Sequence, residues 1–235
     1  MKKIAVCVSG LIKNYNNDIF LKSLNSLNQE YDVFWHTWDY CNVSLVRIDA
    51  IKILIQENDK NAFNNLDISL NKFIKIDQNS PPENIIRMFY SMMQCTKLME
   101  NYEQQNNIKY DLVIRIRPDI IFNLNQTSKD VQSFQKSTLH IPSLNIEDNK
   151  IIMPLKGFWV GKSMNLPQIG HIRVSDAFFI GNESVRKLSK TYNDLSTLQN
   201  KYNMPCHPEQ LIAYSCFDKE ININLQGFEC DLKRN

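Results

Sequence analysis

The residues best suited to chemistry lie in one short run, Asp111-Leu-Val-Ile-Arg-Ile-Arg-Pro-Asp119. Arg115 and Arg117 alternate with apolar residues, so a strand through them would put both guanidiniums on one face. Arginines at a strand end are costly to bury unless carboxylate or phosphate meets them. Pro118 ends any ladder and fixes the chain direction, which aims Asp119 beyond the strand end. Two readings stand side by side. One is a structural Arg–Asp network; the other is a ligand site in which arginine faces phosphate and Asp119 binds a metal ion or sugar hydroxyls.

Other candidates sit at the ends of other apolar runs. Ser9-Gly10 closes the first of them and is either a plain tight turn or a ligand-facing one. His36, Trp38 and Asp39 close the second: a half-buried aromatic cluster with a satisfied histidine, or a surface for a base and a ribose. Asp176 follows Ser175 and precedes an apolar run, placing it at a strand start with an outlook on the site. Glu209 follows Pro208, where a carboxylate favours a helix's first turn; with His207 it could equally touch a ligand. The adjacent pair Cys206-His207 does not make a nucleophile and its base, because neighbours rarely reach productive geometry. Walker, dinucleotide-binding and H-E-x-x-H motifs are missing from the sequence.

These residues need elements to position them. Residues 4–8 read as a buried strand, 18–30 as a helix and 31–38 as a second strand, together a βαβ unit. The pattern predicts a helix over 43–57 and a strand over 72–77. Ser80-Pro81-Pro82-Glu83 then carries a capping box, opening a long helix to about 104 with Ile85, Phe89, Met92, Thr96 and Met99 on one face. A strand follows at 110–116. Residues 123–150 read as loose and polar with one strand near 139–141, and 155–170 as a loop. A strand is expected at 174–180, a helix at 183–198, a last helix from Pro208 to about 217 and a short strand at 221–225. Alternating strands and helices argue for one α/β domain with a mainly parallel sheet flanked by helices. Such sheets hold ligands outside the carboxyl ends of their strands, so the places to search are Ser9-Gly10, His36 to Asp39, Arg115 to Asp119, and Asp176 with its neighbours.

Composition narrows the classes further. A net charge of +2 over 235 residues speaks against a nucleic-acid binder. The N-terminal Met-Lys-Lys precedes an apolar run too short for a secretory signal, and no stretch approaches the roughly 20 apolar residues that cross a bilayer. The expectation is a cytoplasmic protein, with peripheral contact at the inner face of a membrane left open. Cysteines 7, 41, 95, 206, 216 and 230 form no C-x-x-C pair, and Cys7 and Cys95 read as small core residues.

Several blocks then appear in order: Lys3-Ile-Ala-Val-Cys-Val-Ser-Gly10 with Lys13, Asp32-Val-Phe-Trp-His-Thr-Trp-Asp39, Asn84-Ile-Ile-Arg-Met-Phe-Tyr-Ser91, Tyr110-Asp-Leu-Val-Ile-Arg-Ile-Arg-Pro-Asp119 and Asp176-Ala-Phe-Phe-Ile-Gly181. As a set spanning residues 3–217, they resemble a family of bacterial and viral GT-A-like glycosyltransferases of surface polysaccharide synthesis. The resemblance implies a single GT-A-like, Rossmann-like α/β domain over 1–235, with a nucleotide-sugar half (1–120) and an acceptor-side half (121–235). It implies a nucleoside-diphosphate sugar donor and a glycan or glycolipid acceptor. It also implies a donor site of Ser9, Gly10, Lys13, His36, Asp39, Arg115, Arg117 and Asp119. Family members more often carry arginine where this chain has Lys13, which keeps the charge but loses the fork. The usual Asp-x-Asp is replaced by Arg117-Pro-Asp119. Asp119 could still hold Mn²⁺ or Mg²⁺, or the arginines could neutralise the diphosphate instead. In an inverting reaction Asp176, with Glu209 as the alternative, would be the catalytic base. A non-catalytic nucleotide- or glycan-binding module on the same fold is the rival reading. A nucleotidyl- or sulfotransferase is another, although both usually need a glycine-rich phosphate loop where this chain has only Ser9-Gly10.

Overall fold

The computed structural model describes residues 2–12, 16–64, 66, 81–127, 144–154, 162–202, 207–226 and 228–232. The chain opens with β1 (Ile4–Ser9), α1 (Asn17–Asn25) and β2 (Tyr31–Trp38), followed by β3 (Ile51–Glu57). The long helix α2 (Pro82–Asn106) leads to β4 (Leu112–Ile116) and β5 (Ile120–Thr127). Then come β6 (Lys150–Pro154), β7 (Lys162–Leu166), β8 (Gly170–Val174) and β9 (Phe178–Gly181). Helices α3 (Glu183–Ser189), α4 (Leu195–Tyr202) and α5 (Pro208–Asp218) precede β10 (Asn222–Gln226) and β11 (Phe228–Leu232).

Seven strands make one sheet in the order β10-β6-β9-β4-β1-β2-β3. Only β9 runs against its neighbours; the other pairings are parallel. The expected α/β architecture, a mainly parallel sheet flanked by helices, is therefore observed. β1 reads as an unbroken apolar run because both its faces are covered. Ala5, Cys7, Phe34, Val113 and Phe179 pack toward α2 and the later helices. Ile4, Val6, Val8, Trp35 and Ile114 pack toward α1 and the antiparallel ribbon of β5 and β11. Cys7 and Cys95 are buried free thiols, as their settings predict.

Local chemistry sets the helix ends. The Asn16 side chain caps α1 by accepting from the Ile19 N–H at 3.0 Å. Pro82 starts α2 at a position where its missing N–H costs nothing, and Asn107, left-handed at φ 49°, ends it. Ser80 of the expected capping box lies outside the described residues, as do the strands expected at 72–77 and 139–141.

Several expectations are corrected. The helix predicted over 43–57 is a 3₁₀ turn (Val43–Leu45) followed by strand β3. Its β-branched Ile51, Ile53 and Ile55 pack as the edge partner of β2, and that pairing decides what periodicity left ambiguous. The helix expected at 18–30 stops at Asn25, since Asn28 is left-handed at φ 51°. The stretch read as loose, 123–150, overlaps the end of β5 and the first residue of β6, and the expected loop at 155–170 contains β7, which forms a hairpin with β8. The helix expected at 183–198 is broken by a 3₁₀ segment, Lys190–Asp194. There Thr191 Oγ1 bonds Leu188 O at 2.6 Å and Tyr192 OH reaches Ala62 O at 2.8 Å, tying the backbone off its helical path.

Candidate active site

Strands β1, β2 and β4 end on one edge of the sheet, and β9 begins there because it runs the other way. Register brings the ends together: Val8 lies beside Ile116, Ser9 beside His36 and Ile116 beside Phe178. The chain leaves β1 through Gly10 at φ +122°, a conformation that strains any residue with a Cβ. The turn is pinned by Gly10 N–H donating to His36 O at 3.3 Å and Thr37 Oγ1 donating to Gly10 O at 2.9 Å.

Arg115 enters this edge from within the core and is only 1% exposed. Its Nε donates to Ser9 Oγ at 3.3 Å, and Nη1 donates to the Asp176 carbonyl. The guanidinium carbon lies 5.5 Å from the centroid of the Phe179 ring. Nη2, also buried, has no hydrogen-bond partner among the described residues. Burial pushes the Arg115 pKa down to about 10, with the more distant Asp176 acting against the shift. Among the described residues no carboxylate is in contact with this buried cation.

Arg117 follows the strand and is placed by a turn. Pro118 occupies its second position, and Ile120 N–H closes it on Arg117 O at 3.2 Å. The turn sets Arg117 and Asp119 face to face: Nε donates to Oδ1 at 3.0 Å and Nη2 to Oδ2 at 2.7 Å. Nη1 lies 3.5 Å from Asp176 Oδ2. The Arg117 side chain is 31% exposed, whereas that of Asp176 is 12% exposed. Burial disfavours the Arg117 cation, but Asp176 and Asp119 outweigh it and hold the side chain charged.

Asp176 sits in the bend before β9. Ser175 Oγ accepts from Ala177 N at 3.1 Å and Phe178 N at 3.4 Å, which holds that bend. Burial raises the Asp176 carboxyl above the usual range; Arg117 and Arg115 oppose the rise, and Glu209 and Asp119 add to it. Glu209 stands in the first turn of α5, as its position after Pro208 predicts, with Oε2 against His207 Nδ1. Five predicted residues — Ser9, Arg115, Arg117, Asp119 and Asp176 — thus meet through direct contacts, and Glu209 acts on them through its charge.

His36 and Asp39 do not join them. The His36 ring is buried on the α2 side, with Nδ1 2.9 Å from Ser91 Oγ and Nε2 2.9 Å from Glu57 Oε2. Glu57 Oε1 accepts from Asn61 Nδ2 and from Tyr90 OH, each at 2.8 Å. Burial holds the His36 pKa below its ordinary value despite Glu57. Of its two readings, the satisfied histidine is the one seen. Asp39 is exposed and accepts from Asn58 Nδ2 at 3.0 Å. Lys13 lies outside the described residues. Glu57 and Ser91 were not among the candidates. Glu57 ends the run read as helix; as strand, it pairs beside Trp38, two residues past His36.

A divalent ion at Asp119, one of the two alternatives left open, does not fit the residues as they stand. Both Asp119 oxygens are engaged by Arg117, whose positive charge occupies the place an ion would need. Among the described residues, no three His, Cys, Asp or Glu side chains are grouped as ligands of one ion.

The chain matches no family model and no curated protein sequence. Among solved structures it is similar to the apo form of mouse xyloside xylosyltransferase 1, at 11% identity and a TM-score of 0.44, over 95% of this chain and 84% of that one.

Proposed function

We propose that the protein is a glycosyltransferase that moves a sugar from a nucleoside-diphosphate sugar to a hydroxyl of a glycan or glycolipid acceptor in surface-glycan synthesis. One observation carries the reading. At the carboxyl edge, a buried arginine with an unused donor, a second arginine at the surface and a carboxyl of raised pKa stand within one another's fields. Transfer from a nucleotide sugar needs that set: cations for a departing diphosphate and a base for the attacking hydroxyl. The ordered sequence blocks support the same choice.

In the reaction, the acceptor O–H gives its proton to Asp176 while its oxygen bonds to the anomeric carbon. The bond from that carbon to the diphosphate oxygen breaks, and its electron pair leaves with the diphosphate. Arg117 opposes the charge gathering there, and Arg115 adds its field from beneath. A single displacement inverts the anomeric centre. A base works best when its pKa lies near the operating pH, which favours the raised carboxyl of Asp176 over an ordinary one. Glu209 helps keep it raised. A cytoplasmic location with peripheral membrane contact belongs to the same proposal. Among the described residues, no helix is long and apolar enough to cross a membrane.

The test is thermal stability against a panel of nucleoside-diphosphate sugars. A donor at 100 times its dissociation constant adds about 2.7 kcal/mol, a readily seen shift. The donor that shifts the protein should then release nucleoside diphosphate when acceptors are added. No shift with any donor would overturn the proposal, and a shift without turnover would mark a non-catalytic nucleotide-binding module.

A further inference from the structure

The fork between Arg117 and Asp119 has a consequence for how the donor is held. Resting on the glycosyltransferase reading, we propose that the site takes its diphosphate without a divalent ion, directly on Arg117, and that Asp119 occupies the diphosphate's place until it arrives.

The geometry carries this in four steps. First, a guanidinium presents the same pair of parallel N–H groups to a carboxylate or a phosphate, so the two ligands compete for one face. Here that face, Nε and Nη2, is filled by Asp119 at 3.0 and 2.7 Å. Second, the fork is local. It joins residues two apart across the Pro118 turn, and Asp119 makes no other hydrogen bond among the described residues. Opening it requires a side-chain rotation and no movement of strand or helix. Third, of the two arginines Arg117 is the partly exposed one, whereas Arg115 is buried with its spare Nη2 donor. A ligand arriving from solvent meets Arg117 first. Fourth, three carboxylates (Asp119, Asp176 and Glu209) share this edge with two guanidiniums. Among the described residues, a diphosphate entering beside an intact fork meets more carboxylates than guanidiniums. One that displaces Asp119 gains a free cation as a carboxylate turns away. A divalent ion at Asp119 would have to break the same fork and then sit beside the guanidinium, like charge against like.

Inorganic pyrophosphate tests this, because it has the charge of the leaving group and no sugar for Asp119 to bind. Titration calorimetry in EDTA should show pyrophosphate binding to the wild-type protein. Asp119→Asn should bind it about tenfold tighter, the change expected when one charge-assisted hydrogen bond stops competing. Arg117→Gln should abolish binding. Glu209→Gln removes the same charge from the edge but leaves the fork intact, so it should tighten binding clearly less than Asp119→Asn. Asp119→Ala repeats the test should the Asn variant fold poorly, with circular dichroism as the check.

Equal tightening in Glu209→Gln and Asp119→Asn would reduce the effect to general electrostatics and overturn the competition. Asp119→Asn binding no tighter than wild type would overturn it too, and binding only on addition of Mn²⁺ or Mg²⁺ would overturn the metal-free site. In each case a donor that still shifts the melting temperature leaves the transferase proposal standing. If neither pyrophosphate nor any nucleotide sugar binds, the transferase proposal itself fails.

Discussion

The two ends of the same sheet handle buried charge differently. At the amino end of β4, Arg186 donates to Glu103 at 2.6 and 2.8 Å and to Tyr110 O at 3.3 Å. Glu103 also accepts the Tyr110 N–H at 2.7 Å, and Tyr110 OH donates to Asp32 at 2.5 Å, beside Lys52. Lys3 N–H meets Asp111 at 2.8 Å, and Lys109 meets Glu183 at 2.8 Å. Arg186, Lys52 and Lys109 there each touch an anion. At the carboxyl end, Arg115 is as deeply buried as Arg186 yet touches no carboxylate among the described residues, and Asp176 is held above its usual pKa. Among the described residues both arginines keep one buried N–H without a hydrogen bond, so the difference lies in charge. Arg186 is matched by a touching carboxylate and Arg115 is not, which marks the carboxyl end as the one built to meet another anion.

Turnover should separate the two ends most widely. Asp176→Asn removes the proposed base and should lower kcat by about 10²–10⁴-fold, while the donor-induced thermal shift persists. A variant that keeps wild-type kcat would remove Asp176 from the chemistry. Arg186→Met should do the reverse. It leaves Glu103 buried without its cation, which costs about 3–5 kcal/mol in urea denaturation, while the folded fraction turns over normally.

Arg115→Met comes next. Losing a charged donor should weaken nucleotide-sugar binding roughly 10- to 100-fold. No touching carboxylate is orphaned, so its stability cost should fall well below that of Arg186→Met. Equal costs would mean that Arg115 is as much a structural arginine as Arg186, and the contrast between the ends would collapse.

The carboxyl end was partly legible in the sequence, for a physical reason. A strand buried on both faces must be apolar, so arginines inside one, at 115 and just after it at 117, stand out against Leu112 to Ile116. Ser9-Gly10 and Asp176 were found the same way, as polar residues where apolar runs stop. What the sequence could not show was pairing. Arg117 and Asp119 form a fork because Pro118 turns the chain between them, and His36 is satisfied because β3 delivers Glu57 beside it. That second fact was hidden twice over: residues 51–57 fit helical and strand spacing alike, and only the free edge of β2 decides between them. β5 through β8 were missed for a related reason. β5 and β6 owe their pairing to strands distant in sequence, β11 and β10, while β7 and β8 are five-residue strands that pair with each other.

The smallest expected effect lies in how stability depends on pH, and it sharpens the comparison because two buried groups near the carboxyl edge act with opposite sign. The folded pKa of Asp176 is raised above its unfolded value of about 3.9, so the folded state holds that proton more tightly. Its favourable contribution is complete below the unfolded pKa and is lost as pH rises through the folded one. Asp176→Asn should therefore melt higher than wild type at neutral pH, with the gap closing toward pH ~4. His36 runs the other way. Burial lowers its folded pKa below the unfolded value of about 6.5, so the neutral ring's contribution is present above that value and lost as pH falls through the folded pKa. His36→Gln should lose stability at neutral pH but show less further loss on acidification. Melting temperatures for the three proteins across this range test both signs. Parallel curves for wild type and Asp176→Asn would show that the carboxyl titrates as an ordinary surface acid. Asp176 would then lose its claim to be the unmatched acid of the edge, and buried Arg115 and the fork at Arg117 would be left to carry the contrast.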